Sequence, residues 1–525
     1  MSTYERSIIS LIEPDFKTKT NTGGKLVLDE IAIEDSESKD AKDNSENGHN
    51  PNDFKNSARA GAFTPLIAIN TMKFGDDEMH RMELDMDGKL PSISVTIDDV
   101  DNKFGLNAPI DGDVISLYLR PPDADNQKPI RMDFNIHSIN SNPETRMYYI
   151  YGTIKIPEFF KEVSKSFPEG NSFDHLQDLC EETGLGFATN EESTDDKMTR
   201  LCALDTYETF VNDTVFTAYK NDDSFFDWYI DPYYYLCFVN INKQFSLEDK
   251  TEEVNISASI PLSGLQGQDD SNENNKGSLV LTNSTTMASK NVFIERYSLK
   301  NNSGATWLKN GYKRYAQWLN VGAKDIEYQQ AFADPLTTPG AENDFILLKG
   351  RRSDVDFYKT QSKYKWMGKQ SSILEKGNVH DNYCYSKVLN HQNIEEISKT
   401  ILEVEISGMN FYLYKYMRIP VTIYESGNPK NEELMRGRNT ALGESNKNTD
   451  EMNNSTMASL QGPLTPVSTD EEGTPTQKDQ IKNEYLSGYY VIKGMKILYR
   501  PGEPIVTKLT LSRREWPIPP KNKDV

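Results

Sequence analysis

The end of the chain, residues 487–519, carries two runs in which apolar and polar positions alternate. A period of two is typical of a strand with one buried face, and Pro501-Gly502 between the runs supplies a tight turn. The apolar positions of the two runs are Tyr490, Ile492, Met495, Ile497, Val506, Leu509 and Leu511. The sequence therefore predicts that the chain ends on a β-hairpin, which completes a domain interrupted by a long polar insert.

Residues 61–157 show the same alternation in several short runs. The runs include PSISVTIDD, DVISLYLR, MDFNIHSI and RMYYIYGTIKI, and the dipeptides Asp87-Gly88 and Asp111-Gly112 supply turns. Short strands at this spacing favour an antiparallel barrel or sandwich. We expect this first barrel to be completed by part of 246–262.

From residue 158 to 245 the period changes to that of helices, which predicts a small α+β insert domain. Ser172 is expected to cap a helix that Gly184 ends, and a second helix is expected to start near Asp205. A third, short helix is expected in DDSFFDWYIDP, residues 222–232, before the strand YYYLCFVNINKQF.

A second strand-rich unit is predicted over residues 290–427 and 484–519. ILEVEISG and NFYLYKYMRIPVTIYESG alternate as strands do, whereas ATWLKNGYKRYAQWLN, residues 305–320, has apolar residues at helical spacing. Gly311 and the many aromatic residues weaken this helix prediction.

Polar stretches separate these units. Residues 1–60 are expected to form an N-terminal arm and acidic linker, and 263–289 and 428–483 to be polar inserts, because they lack the apolar residues that offset the entropy cost of ordering. The two inserts share NSTTMAS and NSTMAS, which is either chance or a trace of duplicated loops. The expected fold class is mainly β with an α+β insert, two antiparallel β-barrels and long polar loops.

The composition excludes some functions. The 525-residue chain has 58 basic and 80 acidic side chains, a net charge of −22 and a mean hydropathy of −0.67. Nucleic-acid binding through phosphate contacts is not expected, because affinity there comes from a basic face. Neither a signal peptide nor a membrane anchor is expected, since the N-terminal apolar stretch contains charges and no run of about 18 apolar residues exists. The four cysteines, which lack zinc spacing and fit a reduced cytoplasmic origin, are Cys180, Cys202, Cys237 and Cys384.

Motifs for catalysis or metal binding are weak. Asp85-Met86-Asp87-Gly88 mimics part of an EF-hand loop but lacks the Glu at the twelfth position, so a hairpin turn is the preferred interpretation. The six histidines form no HxxxH or HExxH pair, NTGGK lacks the spacing of a phosphate-binding loop, and no GxSxG or Cys/His signature stands out. We expect no catalytic residue, no cofactor and no metal ion.

The order of units and several stretches resemble the central baseplate hub of contractile-tailed bacteriophages, a family whose wider relatives include the phage late-control D protein and the N-terminal part of VgrG. The stretches are DGDVISLYLR, SFDHLQDLCEETGLGFATN, DDSFFDWYIDPYYYLCFVNINKQF, GNVHDNYCYSKVLNHQN, GMNFYLYKYMRIPVTIYESG and TLSRREWPIP. They cover most of residues 61–250 and 290–427, plus 487–519, and none is a catalytic motif.

The resemblance implies two related tube-type barrels per chain and a homotrimer whose six barrels form a pseudo-sixfold ring. Such a ring would join the tail tube to the central spike and surround the DNA channel in the tail baseplate of a virion, after synthesis in the host cytoplasm. The expected partners are a second and third copy of the chain, the tail spike or cell-puncturing protein, tail tube proteins and other inner baseplate proteins. Sequence-specific nucleic-acid binding is not expected.

Three residues are candidates for an interface, because Trp and Arg dominate interface hot spots: Trp516, Arg514 and Arg418. A core position for Trp516 is an equally open interpretation. An alternative function is a tail-associated carbohydrate-binding or cell-wall-degrading protein, although the material outside the barrels is small for a catalytic domain. The acidic excess either lines the channel and repels DNA, or lies in the exterior linkers and aids solubility.

Overall fold

The structure is a computed structural model, and the residues that it describes fall into two strand-rich units with an insert after the first. The described residues are 65–70, 72–74, 77–110, 112–119, 130–142, 144–156, 158–245, 281–283, 292–301, 314–320, 327–333, 362–367, 379–409, 413–426, 480–483 and 486–513. The predicted arm and linker, the completing segment within 246–262 and most of both polar inserts lie outside them.

The first unit is an antiparallel sheet of seven strands with one short helix, α1 (Lys103–Leu106). Its strands are β1 (Leu66–Ile69), β2 (Met72–Phe74), β3 (Met79–Asp85), β4 (Ser92–Asp98), β5 (Val114–Leu119), β6 (Ile130–Asn142) and β7 (Met147–Ile154). Hydrogen bonding gives the order β3-β4-β7-β6-β5-β1-β2. Buried and half-buried positions alternate along β5, as a strand with one face on the core requires. The strands predicted here are confirmed.

The insert follows as a small α+β unit. It contains β8 (Glu162–Gly170), α2 (Ser172–Thr183), β9 (Gly186–Thr189), β10 (Met198–Thr206), α3 (Tyr207–Phe216), β11 (Phe226–Ile230), β12 (Tyr235–Asn240) and α4 (Ile241–Phe245). Strand β8 pairs with β10, and β12 lies between β9 and β11.

The first two helix predictions hold and the third is wrong. The cap of α2 is Asn171, one residue before the predicted Ser172, and it forms a capping box with Asp174. Gly184 ends α2 with φ 74°, in the left-handed region that glycine tolerates. The segment predicted as a third helix contains strand β11, in which all five residues are buried. A short run that is apolar on both faces has no period by which a sequence could separate strand from helix.

The second unit is a closed barrel of six strands. They are β13 (Leu281–Thr282), β14 (Val292–Asn301), β18 (Thr400–Ser407), β19 (Arg418–Thr422), β22 (Gly488–Tyr499) and β23 (Val506–Ser512). The order is β19-β13-β14-β18-β23-β22, and β22 pairs back with β19 to close the circle. The predicted terminal hairpin is β22 and β23, which pair antiparallel.

The remaining elements are insertions between strands of this barrel. They are β15 (Arg314–Asn320), β16 (Glu327–Ala333), β17 (Ser362–Met367), α5 (Tyr383–Glu396), β20 (Tyr424–Ser426) and β21 (Gln480–Lys482). The helix predicted over 305–320 is wrong in its second half, because β15 is a strand that pairs with both β16 and β17. Aromatic residues such as those of this segment suit a pleated strand.

Helix α5 packs on the insert through side-chain caps. Asn390 donates from Nδ2 to the carbonyls of Phe216 and Ala218, at 2.9 and 3.1 Å, and accepts from the Phe226 amide at 3.0 Å. Ser386 donates to the Thr217 carbonyl at 2.9 Å. The bonds to Phe216, Thr217 and Ala218 satisfy carbonyls at the C-terminal end of α3, which no bond within that helix could satisfy.

Candidate functional site: a strand joint and two strand edges

The two units repeat one pattern of strand pairing. In the first unit the order of five strands is β3·β4·β7·β6·β5, and in the second it is β14·β18·β23·β22·β19. All of these neighbours are antiparallel. The long insertion between β14 and β18 falls where the first unit has the short hairpin turn between β3 and β4.

The registers of the two units agree as well. A bulge in β6 lies between Ile136 and Ser138, opposite β7, and β22 has its bulge between Ile492 and Gly494, opposite β23. A second bulge lies between residues 79 and 81 of β3 and between residues 294 and 296 of β14. Counted from the first bulge, Asn140 of β6 corresponds to Lys496 of β22. Counted from the second bulge, Asp85 of β3 corresponds to Lys300 of β14. Since bulges re-aim a strand at a fixed point, their coincidence indicates two copies of one fold.

The units are joined edge to edge by strand pairing. The C-terminal half of β22, Lys496–Tyr499, pairs antiparallel with Met82–Asp85 of β3, so the strands form one sheet of thirteen. The Met86 amide donates to the Met495 carbonyl at 2.8 Å. Lys496 Nζ lies 2.6 Å from Asp85 Oδ2, and this hydrogen bond raises the pKa of Lys496. We call this pairing the inner joint.

The turn between β3 and β4 is held at the inner joint by buried polar groups. Lys415 donates from Nζ to the carbonyls of Asp87 and Gly88, both at 2.7 Å, and its own carbonyl accepts from the Tyr229 hydroxyl at 3.0 Å. Burial lowers the pKa of Lys415 to about 8, against the opposing field of Asp87. The hairpin-turn interpretation of Asp85-Met86-Asp87-Gly88 is therefore confirmed, and the insert strand β11 and the second unit hold the turn from two sides.

The residues that correspond to the inner joint differ in exposure. On β3, Met82 and Leu84 are 0% and 1% exposed, whereas Tyr297 and Leu299 at the same positions of β14 are 38% and 37% exposed. Beyond Phe293, β14 pairs with β18 alone among the described strands. We call this the β14 edge.

The strand of the first unit that corresponds to β22 is β6, and part of it also forms an edge. Its residues up to Asn135 pair with β5, as residues of β22 up to Val491 pair with β19. The segment Ile139–Asn142 pairs only with β7 among the described strands, although its counterpart in β22 makes the inner joint. We call this segment the β6 edge.

The polar face of the sheet around the inner joint is balanced in charge. Ion pairs on it join Lys496 to Asp85 and Lys508 to Glu405, each at 2.6 Å, and Arg81 to Glu83 at 2.7 Å. Lys300 pairs with Glu403. A concavity of about 480 Å³ lies on this face, between β14, β18, β23 and β22. Because the pairs are exposed, we assign them little stability.

The predicted interface residues have different outcomes. Trp516 and Arg514 lie outside the described residues. Arg418 begins β19 and stacks its guanidinium 4.1 Å from the ring centre of Tyr489, at the pairing that closes the second barrel. Its predicted role in an interface stays a prediction. Sequence reasoning missed Leu299 and Lys415, because no local pattern marks an edge or a clamp formed by distant segments.

Within the described part of the chain, no group of three or more His, Cys, Asp or Glu side chains is placed to hold a metal ion. The four cysteines, all of them among the described residues, are buried and form no disulfide. No helix of the described ranges is long and apolar enough to cross a membrane.

Comparison with protein families and with curated proteins finds no match for this sequence. Among solved structures, a tail protein from Neisseria meningitidis is similar at 10% identity and a TM-score of 0.42, covering 86% of this chain and 98% of that chain. The tail protein of prophage MuSo2 from Shewanella oneidensis is similar at 6% identity and a TM-score of 0.45, covering 86% and 99%.

An Escherichia coli component of the type VI secretion system, described as similar to the T4 tail proteins gp27 and gp5, is 9% identical with a TM-score of 0.34, covering 86% and 79%. The solved structures that are similar to this chain include phage tail proteins and VgrG-related components of type VI secretion.

Proposed function

We propose that this chain is a structural protein of a contractile phage tail, the baseplate hub that forms a trimeric, pseudo-sixfold ring around the DNA channel. The observation that carries the proposal is the duplicated unit with its inner joint. One chain already contains two copies of one fold joined edge to edge, and among its described strands one edge of each kind has no neighbour.

Leftover edges of two kinds favour a closed ring. A head-to-tail contact repeats from copy to copy, and it forms a ring if the rotation closes and a filament if it does not. An edge that stays unpaired invites aggregation, whereas closure removes it. Two units per chain let three chains present six similar barrels, which suits a part placed between a sixfold tube and a threefold spike.

The finer assignments follow from this proposal. The partners would be two further copies of the chain, the spike or cell-puncturing protein, the tail tube and other inner baseplate proteins, within the virion. The role is one of assembly and conduction rather than catalysis. If the face with the four ion pairs lines the channel, its wall is balanced in charge, and the acidic excess of the chain lies elsewhere.

The mass and shape of the purified assembly test the proposal. Light scattering should give three copies per particle, and negative-stain electron microscopy should show rings with an open centre. A protein that stays monomeric at micromolar concentration, or that releases fragments from peptidoglycan, would contradict the hub assignment. The second result would support the cell-wall-degrading alternative.

A further inference from the structure

We propose that the β6 edge of one copy pairs with the β14 edge of a second copy in the register of the inner joint, which places Asn140 opposite Lys300. This inference rests on the proposed ring and names the residues that would close it. It also assigns to Asn140 and Lys300 the selection of the correct edge.

The register follows from the two bulges. In the inner joint Lys496, Ile497 and Leu498 lie opposite Asp85, Leu84 and Glu83. Counted from the matched bulges, the three β22 residues correspond to Asn140, Ser141 and Asn142 of β6. The three β3 residues correspond to Lys300, Leu299 and Ser298 of β14. The pairs between copies are therefore Asn140 with Lys300, Ser141 with Leu299 and Asn142 with Ser298.

Burial supports this pairing. Leu84 is 1% exposed under β22, and its counterpart Leu299 is 37% exposed on the β14 edge. A strand paired at the β14 edge would cover Leu299 as β22 covers Leu84, and an added strand also satisfies backbone groups along each edge.

The side chains of Asn140 and Lys300 favour β6 over β22 as the strand that pairs with the β14 edge. If β22 of another copy took the β14 edge, Lys496 would lie opposite Lys300, and like charges placed directly opposite destabilise a sheet. The β6 edge instead offers the neutral amide of Asn140, whose oxygen can accept from the Lys300 ammonium. Conversely, β6 on β3 would leave Asp85 without the ammonium that Lys496 supplies. Each joint therefore disfavours the strand of the other, so the two joints alternate around the ring.

A disulfide trap tests the register in the full chain. The double variant Asn140→Cys/Lys300→Cys should form a bond between copies under mild oxidation, and denaturing gels should show bands of two and three copies. Residues directly opposite in a sheet lie within the Cα separation that a disulfide spans. The matched control is Asn140→Cys/Ser298→Cys, whose cysteines would be diagonal neighbours about 7–8 Å apart and should link poorly. The native cysteines are buried, so the single variants report the background.

A second variant tests assembly without disulfide cross-linking. Leu299→Asp should leave the free chain folded, because the side chain is exposed there, and should raise the concentration needed for assembly at least about 10-fold by losing one buried leucine. Leu204→Asp, at a 72% exposed position of the insert, should leave assembly unchanged.

The outcomes separate this inference from the proposed function. Trimers that form without the Asn140–Lys300 bond, or with the diagonal bond favoured, would overturn the register and leave the ring standing. A chain that stays monomeric and unlinked at every concentration would overturn both. Bands of two and three copies from the directly opposite pair alone would support both.

Discussion

Leu84 and Leu299 occupy the same position in the two strand-rich units, yet Leu84 is buried under a neighbouring strand, whereas Leu299 lies on an edge that no described strand covers. Their exposures are 1% and 37%, and both lie opposite leucine or isoleucine in the adjacent strand of their own unit. The difference arises because β22 covers the edge of β3, whereas no described strand covers the matching stretch of β14. The two leucines therefore show the same position of the fold once with a neighbouring strand over it and once without one among the described strands.

Alanine at these two positions should have unequal effects on the stability of the free chain. Leu84→Ala should lower the free energy of unfolding by about 2–5 kcal/mol, since it opens a cavity beneath the inner joint. Leu299→Ala should lower it by less than about 1 kcal/mol, because little apolar area is lost from an exposed site. Urea titrations of both variants below the assembly concentration measure this. Equal losses would mean that the β14 edge is covered within the chain.

The sequence predicts the single strands well and the joint not at all. Strand β5 and the pair β22 and β23 have one buried face each, so their period of two is visible in the sequence. Strand β11 is buried on both faces, so its short apolar run has no visible period and the helix that the sequence predicts there is wrong.

The duplication is hidden for a different reason. Corresponding positions such as Lys496 and Asn140, or Asp85 and Lys300, differ in chemistry because one set joins units within the chain. Their equivalence emerges only from the registers and their bulges. The inner joint brings together residues more than 400 positions apart, as in the bond between Lys496 and Asp85 with a separation of 411.

The caps that Asn390 supplies should matter to the stability of the insert. Asn390 is 0% exposed and holds the carbonyls of Phe216 and Ala218 and the Phe226 amide. Asn390→Ala leaves these buried groups without partners and should cost about 2 kcal/mol or more. On the same helix, Lys387→Ala removes only a cation–π contact with Tyr383 and should cost about 1 kcal/mol or less. Thermal unfolding of the two variants should show this order, and a reversed order would contradict the capping role.

The stability of the chain should rise between about pH 8 and pH 10, because Lys415 is buried. Its pKa is about 8 in the folded chain, lowered by burial and only partly restored by Asp87 and Asp85, and Lys493 lowers it further. The unfolded chain, in which a lysine has a pKa of about 10.4, binds more protons over this window, so raising the pH favours the folded state. The contribution of Lys415 is of the order of 3 kcal/mol.

The control for this titration is Lys415→Met, which keeps an unbranched side chain and removes the ionisable group. Its stability should rise less steeply over the same pH range, with the remaining slope assigned to Lys89, whose pKa burial lowers to about 7, and to Lys493, whose pKa burial also lowers. Denaturant midpoints at half-unit pH intervals measure both slopes. Identical slopes would show that Lys415 does not titrate in this range.

Gly494 should tolerate no side chain, because the turn of the β3–β4 hairpin lies directly against it. A Cβ at this position would lie 2.9 Å from the Cα of Asp87, closer than real contacts allow. Gly494→Ala should therefore push the hairpin away from β22 and lower the free energy of unfolding by about 1–3 kcal/mol. Gly88 in the same turn is the matched control, since a Cβ there would meet only the Leu90 carbonyl oxygen at 3.6 Å and the Leu90 amide nitrogen at 3.9 Å. Gly88→Ala should keep the wild-type midpoint in urea. If Gly494→Ala were as stable as the wild type, the turn of the β3–β4 hairpin would not pack closely against Gly494.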